Sequence, residues 1–165
     1  MEDGTFLAGQ QLWYQASSVL KFWNGSAWGA PAAGKTFTIE DAFGGQTFIN
    51  GMGVTNPLGV LDAADAGGGI HTHIDFLISN AGPVPTPVGA YMVTLALTSR
   101  GVDGMSATGY QDSDPFLFVM NHGLSAANFE NAVHALAVPE PEAYAMLLAG
   151  LALVGTVARR RRKSA

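Results

Sequence analysis

Several β-rich runs lie within the first 138 positions, three of them alternating apolar and polar residues with a period of two, and glycines punctuate them. Thr36-Phe37-Thr38-Ile39 and Gln46-Thr47-Phe48-Ile49 each read as half-buried strands. From Ile70 to Ile78 the pattern is stronger: Ile70, Thr72, Ile74, Phe76 and Ile78 fall on one face, and His71, His73, Asp75 and Leu77 on the other. Ala90–Thr98 and Pro115–Met120 are nearly continuous apolar runs, suited to strands covered on both faces. Lys21-Phe22-Trp23-Asn24-Gly25-Ser26-Ala27-Trp28 predicts a hairpin, because Asn-Gly fits a type I′ turn; such a turn sets Trp23 and Trp28 on one face as diagonal neighbours. Gly67-Gly68-Gly69, Pro83-Val84-Pro85-Thr86-Pro87 and Arg100-Gly101-Val102-Asp103-Gly104 have the composition of loops.

One segment follows a helical period instead. Over Ser125–Leu136, Ser125 is placed to cap the helix, and Phe129, Val133 and Leu136 share a face. The expected fold is mainly β: an antiparallel two-sheet sandwich with one short helix, occupying residues 1–137. Residues 138–165 form a separate C-terminal segment, with Val138 as the hinge. No internal repeat is visible.

That segment changes the picture most. Val138-Pro139-Glu140-Pro141 and then Glu142 are followed by sixteen uncharged residues, Ala143–Ala158, and then at once by Arg159, Arg160, Arg161, Arg162 and Lys163. The prolines cannot join a helix interior, so the Pro-Glu-Pro stretch is extended and accessible. As a helix the uncharged run spans roughly 24 Å, short of the ~30 Å hydrocarbon core. Snorkelling arginines at one end and Tyr144 at the other interface can make up the difference. A run this short is often a buried core helix. Here it is apolar all round and ends in five cations, which suits a single transmembrane helix with its basic flank on an anionic cytoplasmic face.

The order Pro-Glu-Pro, short apolar span, terminal arginine cluster resembles the PEP-CTERM sorting signal of Gram-negative bacteria. The resemblance covers residues 138–165. It implies an exported protein, held briefly in the inner membrane with its body facing the periplasm. An exosortase, itself an integral membrane enzyme, would read the motif, remove the tail and release the body to the cell surface or extracellular matrix. Export also calls for an N-terminal signal peptide with basic, apolar and small-residue regions. The chain opens Met1-Glu2-Asp3-Gly4-Thr5 instead, so an N-terminally incomplete body is expected. The alternatives from other classes are an unprocessed tail-anchored membrane protein and a carbohydrate-binding matrix module.

Composition narrows the remaining choices. The 165 residues are 48% hydrophobic and 13% charged, with no cysteine, which removes disulfides, thiolate metal sites and cysteine nucleophiles. The net charge of −5 conceals two parts. Only Lys21, Lys35 and Arg100 oppose the thirteen acids outside the terminal cluster, leaving residues 1–158 at −10. Such a body offers no phosphate-binding stripe, so nucleic acid is not expected as a partner.

The histidines are the main candidate chemistry. On a strand, His71 and His73 stand about 7 Å apart on one face, with Asp75 next and His122 available from the end of another strand. Together they would make a zinc site without thiolates, although a polar outer strand face needs no metal. Gly69-Ile70-His71-Thr72-His73-Ile74-Asp75-Phe76, followed by Gly89-Ala90-Tyr91, also resembles the Gly-x-His-x-His…Phe…Gly-x-Tyr pattern of bacterial choice-of-anchor surface domains. Some of these fall under zinc-repressor control, which implies zinc handling at His71 and His73. Trp13, Tyr14, Trp23 and Trp28 could stack on sugar rings of an extracellular polysaccharide, although strand-face tryptophans are more often core. Asp62, Asp65, Asp112 and Asp114 read as turn residues. No nucleophile elbow or nucleotide-binding loop is present, and the protein is not expected to be an enzyme.

Overall fold

The computed structural model describes residues 5–83 and 85–136. Its strands are β1 (Gln11–Ala16), β2 (Lys21–Trp23), β3 (Trp28–Gly29), β4 (Lys35–Glu40), β5 (Gln46–Asn50), β6 (Val54–Thr55), β7 (Leu58–Ala63), β8 (Asp75–Asn80), β9 (Gly89–Arg100) and β10 (Phe116–His122), followed by the helix α1 (Ala126–His134). The strands pair antiparallel in two sheets. One runs β3-β2-β9-β1-β7 with β10 on the far side of β9, and the other β6-β5-β4-β8. The expected β body with one short helix is what the described residues form. The Val138–Pro141 motif, the apolar run and the basic cluster Arg159–Lys163 lie outside the described residues. Among the described residues no helix is long and apolar enough to cross a membrane.

The twelve-residue β9 organises the larger sheet. β1 pairs with its second half (Ala16 opposite Leu95) and β2 with its first (Lys21 opposite Met92), both along the same edge. Where one gives way to the other, Ser17 N donates to Thr94 O and Ser18 Oγ accepts from Thr94 N at 2.9 Å, so a side chain continues the ladder. The alternation read from sequence decides which residues meet between the sheets. Tyr14, Ala16, Tyr91, Val93 and Leu95 face Phe37, Ile39, Ile49 and Ile78 in one buried cluster. Phe118 extends it, stacked on Phe76 at 4.4 Å and edge-on to Phe37 at 6.1 Å.

The sheets are also tied by polar bonds. Thr47 gives its only hydroxyl proton to Asn56 O, so its oxygen accepts from the buried Tyr14 hydroxyl at 3.0 Å. Burial holds the Tyr14 phenol above its usual pKa, which keeps it a donor. At one end of the sandwich, Leu20 N bonds Asn50 O at 2.9 Å.

A second, smaller cluster forms on the outer face of the β9 sheet, where Trp23 and Ala90 pack with Ala132 and Phe129 of α1. Ser125 caps that helix as expected, its oxygens meeting Asn128 N and Phe129 N. The buried helix position is Ala132, while Val133 is 41% exposed, so the packed stripe is rotated from the one expected through Val133 and Leu136. The hairpin differs as well. Asn24 Oδ1 accepts from Ser26 N and Ala27 N, closing a four-residue connection in which Trp23 and Trp28 are direct partners and not diagonal ones. The Asn side chain wins the backbone donors that a two-residue turn would have left to the ladder. Val133–Leu136 belong to a second unit of the chain.

Candidate functional site

The histidine segment is positioned by the turn before it. In Asp65-Ala66-Gly67-Gly68-Gly69, Asp65 Oδ1 accepts from Gly67 N at 2.8 Å and from Gly69 N at 2.9 Å. These bonds hold the Asp65 carboxyl below its usual pKa. Asp62, at the end of β7, accepts from His71 N at 2.8 Å and lays the following residues along the sheet end. His71 and His73 are both exposed, and their rings meet edge-on with centroids 5.1 Å apart.

The strand expected from Ile70 begins only at Asp75, because β4 offers partners no further than Glu40, opposite Asp75. The in-out alternation nevertheless starts before the ladder and continues into β8: Thr72 and Ile74 are half-buried ahead of the strand, Phe76 is half-buried and Ile78 buried within it.

His122 does not join this pair. It ends β10 opposite Gly89, with Nδ1 3.1 Å from Pro87 O and its ring edge-on to Tyr91. The register sets it near the end of the sandwich where Leu20 meets Asn50, whereas Asp75 and the two other histidines belong to the opposite end. Among the described residues, no group of three or more histidine or acidic side chains is arranged to hold a metal ion. The expected set His71, His73, Asp75 and His122 is therefore a pair of imidazoles and two separated residues.

The four aromatics considered for sugar stacking do not form one platform. Tyr14 and Trp23 are buried at 1% and 6% exposure. Trp28 donates its Nε1 proton to Ala132 O at 2.9 Å, and Trp13 lies beneath the Arg100 guanidinium at 4.4 Å. Asp65 spends Oδ1 on the N–H groups of its own turn, as expected of a turn residue, whereas Asp62 stands in β7 and accepts from Ala63 N and His71 N.

Sequence reasoning missed two features. The first is a local motif used twice: Asp41-Ala42-Phe43-Gly44-Gly45 folds as Asp65–Gly69 does. In each, the Asp N–H meets the carbonyl of the fifth residue and its Oδ1 accepts from the third and fifth N–H groups. Gly44 and Gly68 take φ of +81° and +80°, a conformation other residues adopt only under strain. The Asp-Ala-x-Gly-Gly spacing was the available signal. The second is Lys35, buried at the start of β4 on the face it shares with Phe37 and Ile39. Its place one and two repeats before those residues was the signal there.

The decisive comparison concerns the tail. Residues 137–163 match the PEP-CTERM protein-sorting motif. The match contains the Val138-Pro139-Glu140-Pro141 stretch, the uncharged run and the basic cluster. PEP-CTERM is a non-catalytic sorting signal, in keeping with a non-enzymatic protein, and it marks the chain for exosortase-mediated sorting to the surface or exterior. No curated protein and no solved structure matches the chain.

Proposed function

We propose that the protein is an exported cell-surface or extracellular-matrix protein whose β-sandwich is the cargo and whose C-terminal segment is the delivery signal. The PEP-CTERM match over residues 137–163 is the observation that carries this reading. The exosortase reads Val138-Pro139-Glu140-Pro141, a stretch that two prolines keep out of helix and open to an enzyme's cleft. Residues 143–158 span the inner membrane as a helix while sorting proceeds. Arg159–Arg162 and Lys163 stay on the cytoplasmic side, held by anionic headgroups, and so fix the body on the periplasmic face. Removal of the tail frees the acidic body, whose charge of −8 over residues 1–137 disfavours its return to an anionic membrane.

Cell fractionation tests this. The chain, fused to an export signal, is produced in hosts with and without an exosortase that recognises this motif. The body should leave the membrane fraction only when the enzyme is present. Equal membrane retention in both hosts would favour an unprocessed tail-anchored protein.

A further inference from the structure

Lys35 is the only buried charged residue among the described ones, at 5% exposure. Lysines that lie along apolar surface normally keep the ammonium in water. Here almost the whole side chain is covered, and among the described residues its ammonium has no hydrogen-bond or ion-pair partner. What remains of its exposure is the place where the ammonium meets solvent or a ligand.

The surroundings show where a partner would fit. β4 begins at the end of the sandwich where the segment preceding it, Ala30–Gly34, faces the turn Asn50–Gly53 across a cleft of about 470 Å³. That volume falls in the range of small-molecule sites, about 300–1,000 Å³. Lys35 lines it, and also borders an adjoining hollow walled by Phe22, Pro87 and Tyr91. Because no side-chain nitrogen among the described residues is both fully enclosed and unbonded, the Lys35 ammonium retains a solvent opening. The cleft's walls are otherwise mostly apolar: Ala30, Pro31, Ala32, Ala33 and Met52, the last 93% exposed at the rim. Asn50 supplies a second donor. Its Oδ1 is spent on Met52 N and Gly53 N, which leaves the Nδ2 protons free.

We propose that this cleft binds a small apolar carboxylate, its acid group paired with Lys35 and assisted by Asn50 Nδ2, its apolar body against the alanine-proline wall and Met52. A carboxylate accepts several charge-assisted bonds at once and supplies the counterion the site lacks. A neutral ligand of the same shape would gain the apolar contacts alone. Met52, flexible and unbranched, can close over bodies of differing shape.

The probe is 4-phenylbutyrate, compared with the neutral 4-phenylbutanol, and the readout is the Met52 methyl resonance of the full chain in detergent micelles. The expected result is at least tenfold tighter binding of the acid by the wild type. In Lys35→Met the acid and alcohol should bind equally. That variant should melt no lower than the wild type, since an apolar side chain of similar length keeps the packing of the covered lysine stem. Absence of acid binding to the wild type, equal binding of acid and alcohol, or an acid preference that survives Lys35→Met would each overturn the proposal. Micelle partitioning is common to both proteins, so the comparison between them isolates the cleft.

Discussion

A Cβ on Gly59 would stand 2.4 Å from Tyr14 Cζ and 2.3 Å from its hydroxyl, because the tyrosine ring crosses the opposing strand at that point. Tyr14 in turn is held by its bond to Thr47 on the other sheet, so the ring cannot swing away without breaking a buried link. Gly59→Ala should therefore destabilise the body by about 1–3 kcal/mol, the usual cost of overpacking. A urea midpoint equal to that of the wild type would mean that the ring is not fixed there.

Acid sensitivity also belongs to single residues. Ser106 Oγ, Ser106 N and Met105 N donate to the Asp103 carboxylate and hold its pKa at about 2. A carboxyl whose folded pKa lies below its unfolded value, ~3.9, contributes stability above that value and loses it as pH falls toward 2. Asp65 is shifted in the same direction by its backbone bonds. In pH-dependent unfolding, Asp103→Asn should flatten part of the decline between about pH 4 and pH 2. An unchanged slope would show that Asp103 is solvated alike in both states.

At the scale of elements, what was legible followed from periodicity. The strands at Thr36–Ile39 and Gln46–Ile49 stand inside β4 and β5, since a buried face enforces its alternation whatever the neighbours, and the continuous apolar run Ala90–Thr98 stands inside β9. Boundaries set by partners were not legible. β8 starts at Asp75 because its neighbour ends, and nothing in Ile70–Ile78 itself reports where β4 stops. Turn geometry was half legible: Asn24-Gly25 marks the right turn, but the Asn carboxamide lengthens it. That the described residues bring no three of the metal candidates together has a related reason. Strand faces can be inferred from spacing, whereas the ends of the sandwich at which His71 and His122 fall depend on topology. Helix placement was likewise tertiary, since Trp28 selects the face by donating to Ala132 O across 104 positions. Trp28→Phe keeps the ring and removes this donor. It should cost about 0.5–1.5 kcal/mol and speed amide exchange in α1 while leaving β4 and β5 unaffected. Uniform acceleration across the chain would mean that the bond anchors the whole sandwich.

The molecule as a whole separates a β cargo from its address. Among the described residues, the interface between the sheets is filled by Tyr14, Phe37, Ile39, Ile49, Tyr91 and Val93. The proposed sorting role of residues 138–165 rests on sequence alone: two prolines that disfavour a helix interior, an uncharged run and a cluster of five cations. The charge and apolar pattern of that segment were legible because they require no tertiary partner. The central claim is that Pro139-Glu140-Pro141 is read by an exosortase and the tail removed. Intact-mass measurement tests it most directly, with wild type and Glu140→Ala each fused to the same export signal and produced in an exosortase-bearing host. The wild type should lose the mass of its C-terminal segment and Glu140→Ala should retain it. Full-length mass for the wild type, or the same cleavage in both, would contradict the account.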